Sequence, residues 1–152
     1  MKKKEPRASE PPMEKQMSNA PRVSSTVILV VDDDPMQRDI LKTILSDEGY
    51  ETHVASSAEE ALEAAQTLKP DVVLTDLRMH KMNGIELMEK LRSQADAPVV
   101  IIMSASGLPR IIEKSVGKGA FSFMQKPLEK HQVLFTIKRA LEITARIKNQ
   151  YL

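Results

Sequence analysis

The chain has no cysteine among its 152 residues, so it can form neither a disulfide nor a thiolate metal site. That fits a reducing compartment. Aromatic residues make up only 3%, and a core must therefore come from Val, Ile, Leu, Ala and Met. No apolar run approaches the roughly 20 residues that a membrane-spanning helix needs. The first six residues, Met1 to Pro6, are basic but lack the apolar segment of a signal peptide. No Gly-x-x-x-x-Gly-Lys-Ser/Thr loop is present, which excludes an attached P-loop ATPase. A strong charge of one sign is missing too: 22 Lys and Arg stand against 21 Asp and Glu. Residues 1–25 carry six of the basic residues and three Glu, leaving 16 basic and 18 acidic residues in the rest. That remainder has no nucleic-acid footprint of the usual strength.

What is present is one concentrated acidic stretch. Val27, Ile28, Leu29, Val30 and Val31 are five consecutive apolar residues, mostly β-branched, and read as a strand buried on both faces. Asp32, Asp33 and Asp34 follow at once. Crowded carboxylates repel and raise one another's pKa, so the arrangement stabilises nothing unless a positive charge sits there. The carboxyl end of a buried parallel strand is also where open α/β sheets keep their sites. A cation site is the first expectation.

Residues 1–25 are rich in Pro, Ser, Lys and Glu without apolar periodicity and read as a disordered basic arm. Beyond the first strand, Asp34 can cap a helix with Pro35 in its first turn, and Ile40, Leu41, Ile44 and Leu45 form its apolar stripe up to Gly49. A short strand, Glu51–Ala55, precedes a Ser57/Glu60 capping box and a helix to about Leu68. A third strand over Asp71–Thr75 ends on Asp76, and a loop leads to Gly84 and a helix bearing Ile85, Leu87, Met88 and Leu91. Pro98–Met103 is a fourth strand ending on Ser104. A weak helix over about 108–116, with Pro109 at its start and Gly117 and Gly119 after it, is expected to be the most mobile. Phe121–Met124 is a fifth strand, followed by Lys126-Pro127 and a last helix from about Leu128 to near Tyr151. Strand and helix alternate five times, which implies an α/β fold, a doubly wound parallel sheet with helices on both faces. A single domain over residues 26–145 is expected, with 146–152 extending the last helix.

In such a sheet all strand ends share one edge. Asp32, Asp33, Asp76, Ser104 and Lys126 should therefore converge although they are far apart in sequence. Each alone is compatible with a cap, a turn or a surface residue. Together they suit phosphoryl chemistry. Mg²⁺ takes hard oxygen ligands, an Asp carboxylate can act as the nucleophile, and a hydroxyl and an ammonium can bind phosphoryl oxygens.

These segments resemble a two-component response-regulator receiver domain. The resemblance is carried by Ile28–Asp34, Asp71–Met79, Met82-Asn83-Gly84, Ile101–Ala105 and Gly119–Pro127, in that order. The closing segment through Glu142 looks most like receivers of the nitrogen-regulation type. The resemblance implies a five-stranded flavodoxin-like sheet of order 2-1-3-4-5. It implies that Asp76 is the phosphoacceptor, that Asp33 binds Mg²⁺ directly and Asp32 largely through water, and that the Arg78 backbone carbonyl completes the protein ligands. Lys126 would pair with the phosphoryl group, Ser104 would move to it, Phe123 would be the aromatic switch, and the Lys126–Pro127 bond would be cis. Arg78 and Ser106 hold positions that tune phosphate lifetime, and the small Ala105 would leave the acyl phosphate accessible. Asp34 is left with helix capping. Relatives read Arg-Met-Pro where this chain reads Arg78-Met79-His80; a metal role for His80 is a minor alternative, and His53 and His131 are expected at the surface.

A sensor histidine kinase or histidine phosphotransfer protein is the expected donor, in the cytoplasm. After Lys126-Pro127 only one helix remains, too little for a helix-turn-helix domain, so a stand-alone receiver signalling through an unknown output protein is expected, not direct DNA binding or an enzyme with turnover. On the last helix Val133, Ile137, Ala140, Leu141, Thr144 and Ile147 share a face, while Lys130, Lys138, Arg139, Arg146 and Lys148 make it basic; packing competes there with a homodimer or partner contact. Two rivals stand. One is a degenerate receiver used as a scaffold. The other is a haloacid-dehalogenase-type phosphohydrolase, for which Asp32-x-Asp34 mimics the nucleophile motif but Asp76 has no role, and only Glu129 and Glu142 follow Lys126.

Overall fold

Val27–Val31 forms β1, and its last four side chains are fully enclosed. A strand covered on both faces needs helices above and below it. The computed structural model, which describes residues 26–105 and 107–150 with side chains as far as 145, has that arrangement. The elements that follow are α1 (Pro35–Asp47), β2 (Glu51–Ala55), α2 (Ala58–Leu68), β3 (Val72–Asp76), α3 (Gly84–Arg92), β4 (Val99–Ser104), α4 (Pro109–Gly117), β5 (Ser122–Gln125) and α5 (Lys130–Gln150). All strand pairings are parallel, in the order β2-β1-β3-β4-β5. The expected α/β class and strand order hold.

Strand side chains alternate between faces, and this divides the core into two layers. Leu29, Val31, Val73, Val100 and Ile102 meet Ala58, Ala61 and Ala65 of α2 and Leu87, Met88 and Leu91 of α3. Ile28, Val30, Val72, Leu74, Ile101 and Met103 meet Leu41 and Leu45 of α1 and Val133, Ile137 and Ala140 of α5. Burying one such aliphatic side chain stabilises by about 1.5–3 kcal/mol, so the sheet is held from both sides.

The helix ends show how local sequence acts. The Asp34 carboxylate accepts the Met36 N–H and Pro35 opens α1, as expected. Gly49 follows that helix with φ 99°, a left-handed conformation that suits glycine. The Ser57 hydroxyl caps α2 by accepting the Glu60 N–H. The expected capping box closes differently, however: Glu60 reaches back to the N–H and hydroxyl of Ser56, one residue before the cap. A complete box does occur on α3, between Asn83 and Glu86, where the sequence analysis placed none. α4 has no side-chain cap, and Ser115 is its one buried residue.

Four expectations are corrected. Ile40 is 48% exposed, because the buried stripe of α1 is narrower than the apolar spacing allows. β4 begins at Val99 and not at Pro98, which has no N–H for a ladder. β5 begins at Ser122 and α5 at Lys130, each later than expected. Glu129 therefore precedes the last helix instead of lying on it. On α5 Val133, Ile137 and Ala140 are buried and Leu141 and Thr144 half-buried. The arm of residues 1–25, Ser106, and the side chains of Arg146, Ile147 and Lys148 lie outside the described residues. Among the described residues no helix is long and apolar enough to cross a membrane.

Candidate functional site

Parallel register delivers the expected residues to one edge. Val31 lies beside Thr75, so Asp32 and Asp76 are the next residues on neighbouring strands. Asp76 lies beside Met103, one residue before Ser104. Ser104 lies beside Gln125, one residue before Lys126, and the Ser104 carbonyl accepts the Lys126 N–H at 2.8 Å.

Carboxylate oxygens of Asp32, Asp33 and Asp76 lie within 4.8 Å of one another. Asp32 is fully buried, Asp76 is 8% exposed, and Asp33 faces solvent. Lys126 Nζ sits 2.8 Å from Asp32 Oδ2 and 3.4 Å from Asp76 Oδ1. Burial, and next the charge of Asp32, push the Asp76 carboxyl up to about 6, against the opposing pull of Lys126. Burial alone would lower the Lys126 ammonium. Its hydrogen bond to Asp32 and the charges of Asp76 and Asp32 outweigh this and leave its pKa raised.

The backbone around these groups is equally engaged. Asp32 Oδ1 accepts the Asp34 N–H at 3.0 Å. The Asp32 N–H donates to Ala55 at 3.1 Å. The Asp32 carbonyl accepts Arg38 Nη1 at 2.8 Å. Beside the proposed nucleophile, the Thr75 hydroxyl donates to the Asp76 carbonyl at 3.0 Å. Gly84 packs so closely that a Cβ there would collide with the Asp76 carbonyl oxygen and lie 3.1 Å from Leu77 Cα.

Of the remaining expectations, Ser104 is 1% exposed at the same edge. Phe123 is half-buried and packs against the layer beneath α2 to α4. The Lys126–Pro127 bond is cis. Arg78 is exposed, as is His80, which lies outside the carboxylate cluster. His131 is exposed, and His53 pairs with Glu51 at 2.8 Å on the outer strand. Among the described residues no glutamate joins the cluster, and Glu129 and Glu142 are exposed. The phosphohydrolase reading thus lacks its further metal ligands, and its nucleophile, Asp32, is the buried partner of Lys126. Arg38 is the site residue that sequence reasoning missed. Its signal was a cation near a helix N-terminus, where the macrodipole disfavours one.

Three carboxylates at this spacing, one of them open to solvent, offer the hard oxygen donors that Mg²⁺ takes. The donor set therefore fits that ion.

A family model described as the response regulator receiver domain matches residues 28–138. The regulatory protein AtoC of Escherichia coli is 34% identical over 121 residues, which cover 80% of this chain and 26% of AtoC. The chemotaxis protein CheY4 of Vibrio cholerae superposes with a TM-score of 0.73 at 28% identity, covering 76% of this chain and 98% of that one. A CheY from Borrelia burgdorferi, solved in complex with CheX, BeF₃ and Mg²⁺, gives a TM-score of 0.72 at 28% identity over 76% of this chain and 89% of that chain. The chain spans between about a quarter and a half of the length of the curated relatives it matches.

Proposed function

This chain belongs to the response regulator receiver domain family, and we propose that it is a phosphoacceptor of a two-component or phosphorelay system, modified on Asp76. One geometry carries the reading: three carboxylates gathered within 4.8 Å, with the Lys126 ammonium 3.4 Å from the Asp76 oxygen that would attack. The receiver unit is assigned to residues 26–145.

The donor is a phosphohistidine on a sensor kinase or phosphotransfer protein. An Asp76 oxygen bonds to phosphorus as the phosphorus–nitrogen bond breaks, and the electron pair leaves with the imidazole. Lys126 faces the oxygens of the transferred group and offsets their charge. Asp33, Asp76 and the Arg78 carbonyl would hold Mg²⁺ directly, with Asp32 acting through water. Bound Mg²⁺ supplies Lewis-acid neutralisation of the phosphoryl oxygens. Ser104 and Phe123 then shift, and the face built from α4, β5 and α5 presents a different surface to an output protein. This is a population shift between two states. The acyl phosphate is later hydrolysed, so the chain is the substrate of a transfer and not an enzyme with turnover. A cytoplasmic location accords with such donors. α5 or its neighbouring face is also the surface through which a homodimer would form.

The test is incubation with a small acyl phosphate and Mg²⁺, read by mass spectrometry. The expected result is one phosphoryl group on the wild type and none on Asp76→Ala. A stable adduct on Asp76→Ala overturns the assignment.

A further inference from the structure

We propose that Arg38 is a positioning residue for this site: through the Asp32 carbonyl it fixes the Asp32–Asp33 peptide, so that both carboxylates meet a divalent cation already aligned. The inference rests on the phosphoacceptor reading and assigns a part to a residue outside the acidic cluster.

Arg38 lies in α1, one turn beyond the cap, with its N–H on the Asp34 carbonyl at 3.1 Å. A cation there opposes the helix dipole, and the first turn of α1 holds no acidic residue to offset it. Among the described residues no ion pair joins it to the Asp34 cap either, whose carboxylate accepts the Met36 N–H. The partner of Arg38 is at its far end, where Nη1 donates to the Asp32 carbonyl at 2.8 Å in a half-buried, charge-assisted bond.

That carbonyl is the last group of Asp32 to be accounted for. The N–H is on Ala55, Oδ1 takes the Asp34 N–H, and Oδ2 takes Lys126. These three bonds anchor the side chain, the entering backbone and the turn that follows. The Asp34 N–H bond spans the peptide leaving Asp32 and limits its rotation, and the plane of that peptide sets the direction of Asp33, the carboxylate open to solvent. The Arg38 guanidinium adds the second restraint, on the carbonyl itself. Arg38 also has an acidic neighbour beyond the site. Glu60 is held below the usual carboxylate range first by its bonds to Ser56, and the charge of Arg38 adds to this.

Charge alone gives the opposite expectation. A guanidinium beside a cation site repels the cation, so its removal should tighten Mg²⁺ binding. Positioning requires that removal weaken it, and the sign separates the two. The experiment is a Mg²⁺ titration of the full chain in otherwise metal-free buffer, by calorimetry, for the wild type, Arg38→Gln, Arg38→Lys and Asp33→Asn. Melting temperatures are taken in chelator. The expected result is Mg²⁺ affinity about 10-fold weaker in Arg38→Gln, with its melting temperature in chelator little changed. Arg38→Lys should recover part of the loss. Saturating Mg²⁺ should restore the maximal rate of Asp76 phosphorylation in Arg38→Gln. Unchanged or tighter Mg²⁺ binding in Arg38→Gln overturns the proposal. So does a loss of affinity that follows a loss of fold, or a maximal rate that Mg²⁺ does not restore. Should Arg38→Gln fail to fold, binding by Arg38→Lys equal to the wild type overturns it as well. If Asp33→Asn binds Mg²⁺ as well as the wild type, the underlying site reading fails instead.

Discussion

Lys126 holds Asp32 more tightly than it holds Asp76: its ammonium is 2.8 Å from the first and 3.4 Å from the second. The closer partner is fully buried, and the farther one is the proposed nucleophile. The lysine is thus held mainly by Asp32, and on the proposed reading its longer approach to Asp76 leaves room for an arriving phosphoryl group. Lys126→Met leaves a buried carboxylate without its counter-charge. Breaking such a pair costs about 3 kcal/mol, at the low end of the usual range because the ammonium keeps some water. Urea unfolding in chelator should show that loss. Added Mg²⁺ should recover more stability in the variant than in the wild type.

The Asp76 carboxyl, raised to about 6 by burial and by Asp32, gives a pH signature. Its folded pKa lies above the unfolded value, so the native state favours its protonated form. The associated stability is fully present below about pH 4 and is lost as pH rises through about 6. In metal-free buffer Asp76→Asn should therefore be more stable than the wild type at pH 7, by about 1–3 kcal/mol. The gap should close as the pH falls toward 4. Paired denaturation curves across that range measure it; a gap independent of pH would contradict the cause.

Gly84→Ala tests the close approach behind the nucleophile. The new Cβ meets the Asp76 carbonyl oxygen and Leu77 Cα, both backbone atoms that cannot rotate away. Either the start of α3 or the end of β3 must move. The expected cost is about 2–3 kcal/mol, with a matching fall in the rate of Asp76 phosphorylation at saturating Mg²⁺. Wild-type kinetics in this variant would show that the two elements separate freely.

Asn83→Ala removes the cap of the same helix and leaves the Glu86 N–H without its partner. The expected loss is about 1 kcal/mol. Glu86→Ala, which removes the reciprocal bond to the Asn83 N–H, should cost less, and the double variant less than the sum. Urea midpoints of the three variants give the comparison.

Much of this was legible in residues alone. Runs such as Val27–Val31 and Val99–Met103 can be satisfied only between two helical layers, and parallel strands then carry Asp32, Asp76, Ser104 and Lys126 to one edge whatever the loops do. Asp34 with Pro35 marked a helix start for purely local reasons. The misses have physical causes too. Ile40 has the spacing of a buried residue, but spacing sets only the centre of a stripe and leaves its width open. Glu60 could reach either Ser56 or Ser57, and the choice depends on how the chain leaves β2. Asn83 was read only as part of Met82-Asn83-Gly84, and its capping partner Glu86 lies outside that motif. Arg38 carried only a weak sign, a cation near a helix start, because its partner is a backbone carbonyl, which every residue has and no pattern marks.

The bond between Lys126 and Asp32 joins residues 94 positions apart. Nearly every strand lies between them in sequence. Without the chain beyond β5 the three carboxylates would stand together with no Lys126 beside them. The cation that relieves them arrives with the last strand. The site's counter-charge therefore depends on the far end of the sheet being in place, and phosphoryl uptake at the proposed acceptor would report that the whole sheet has formed.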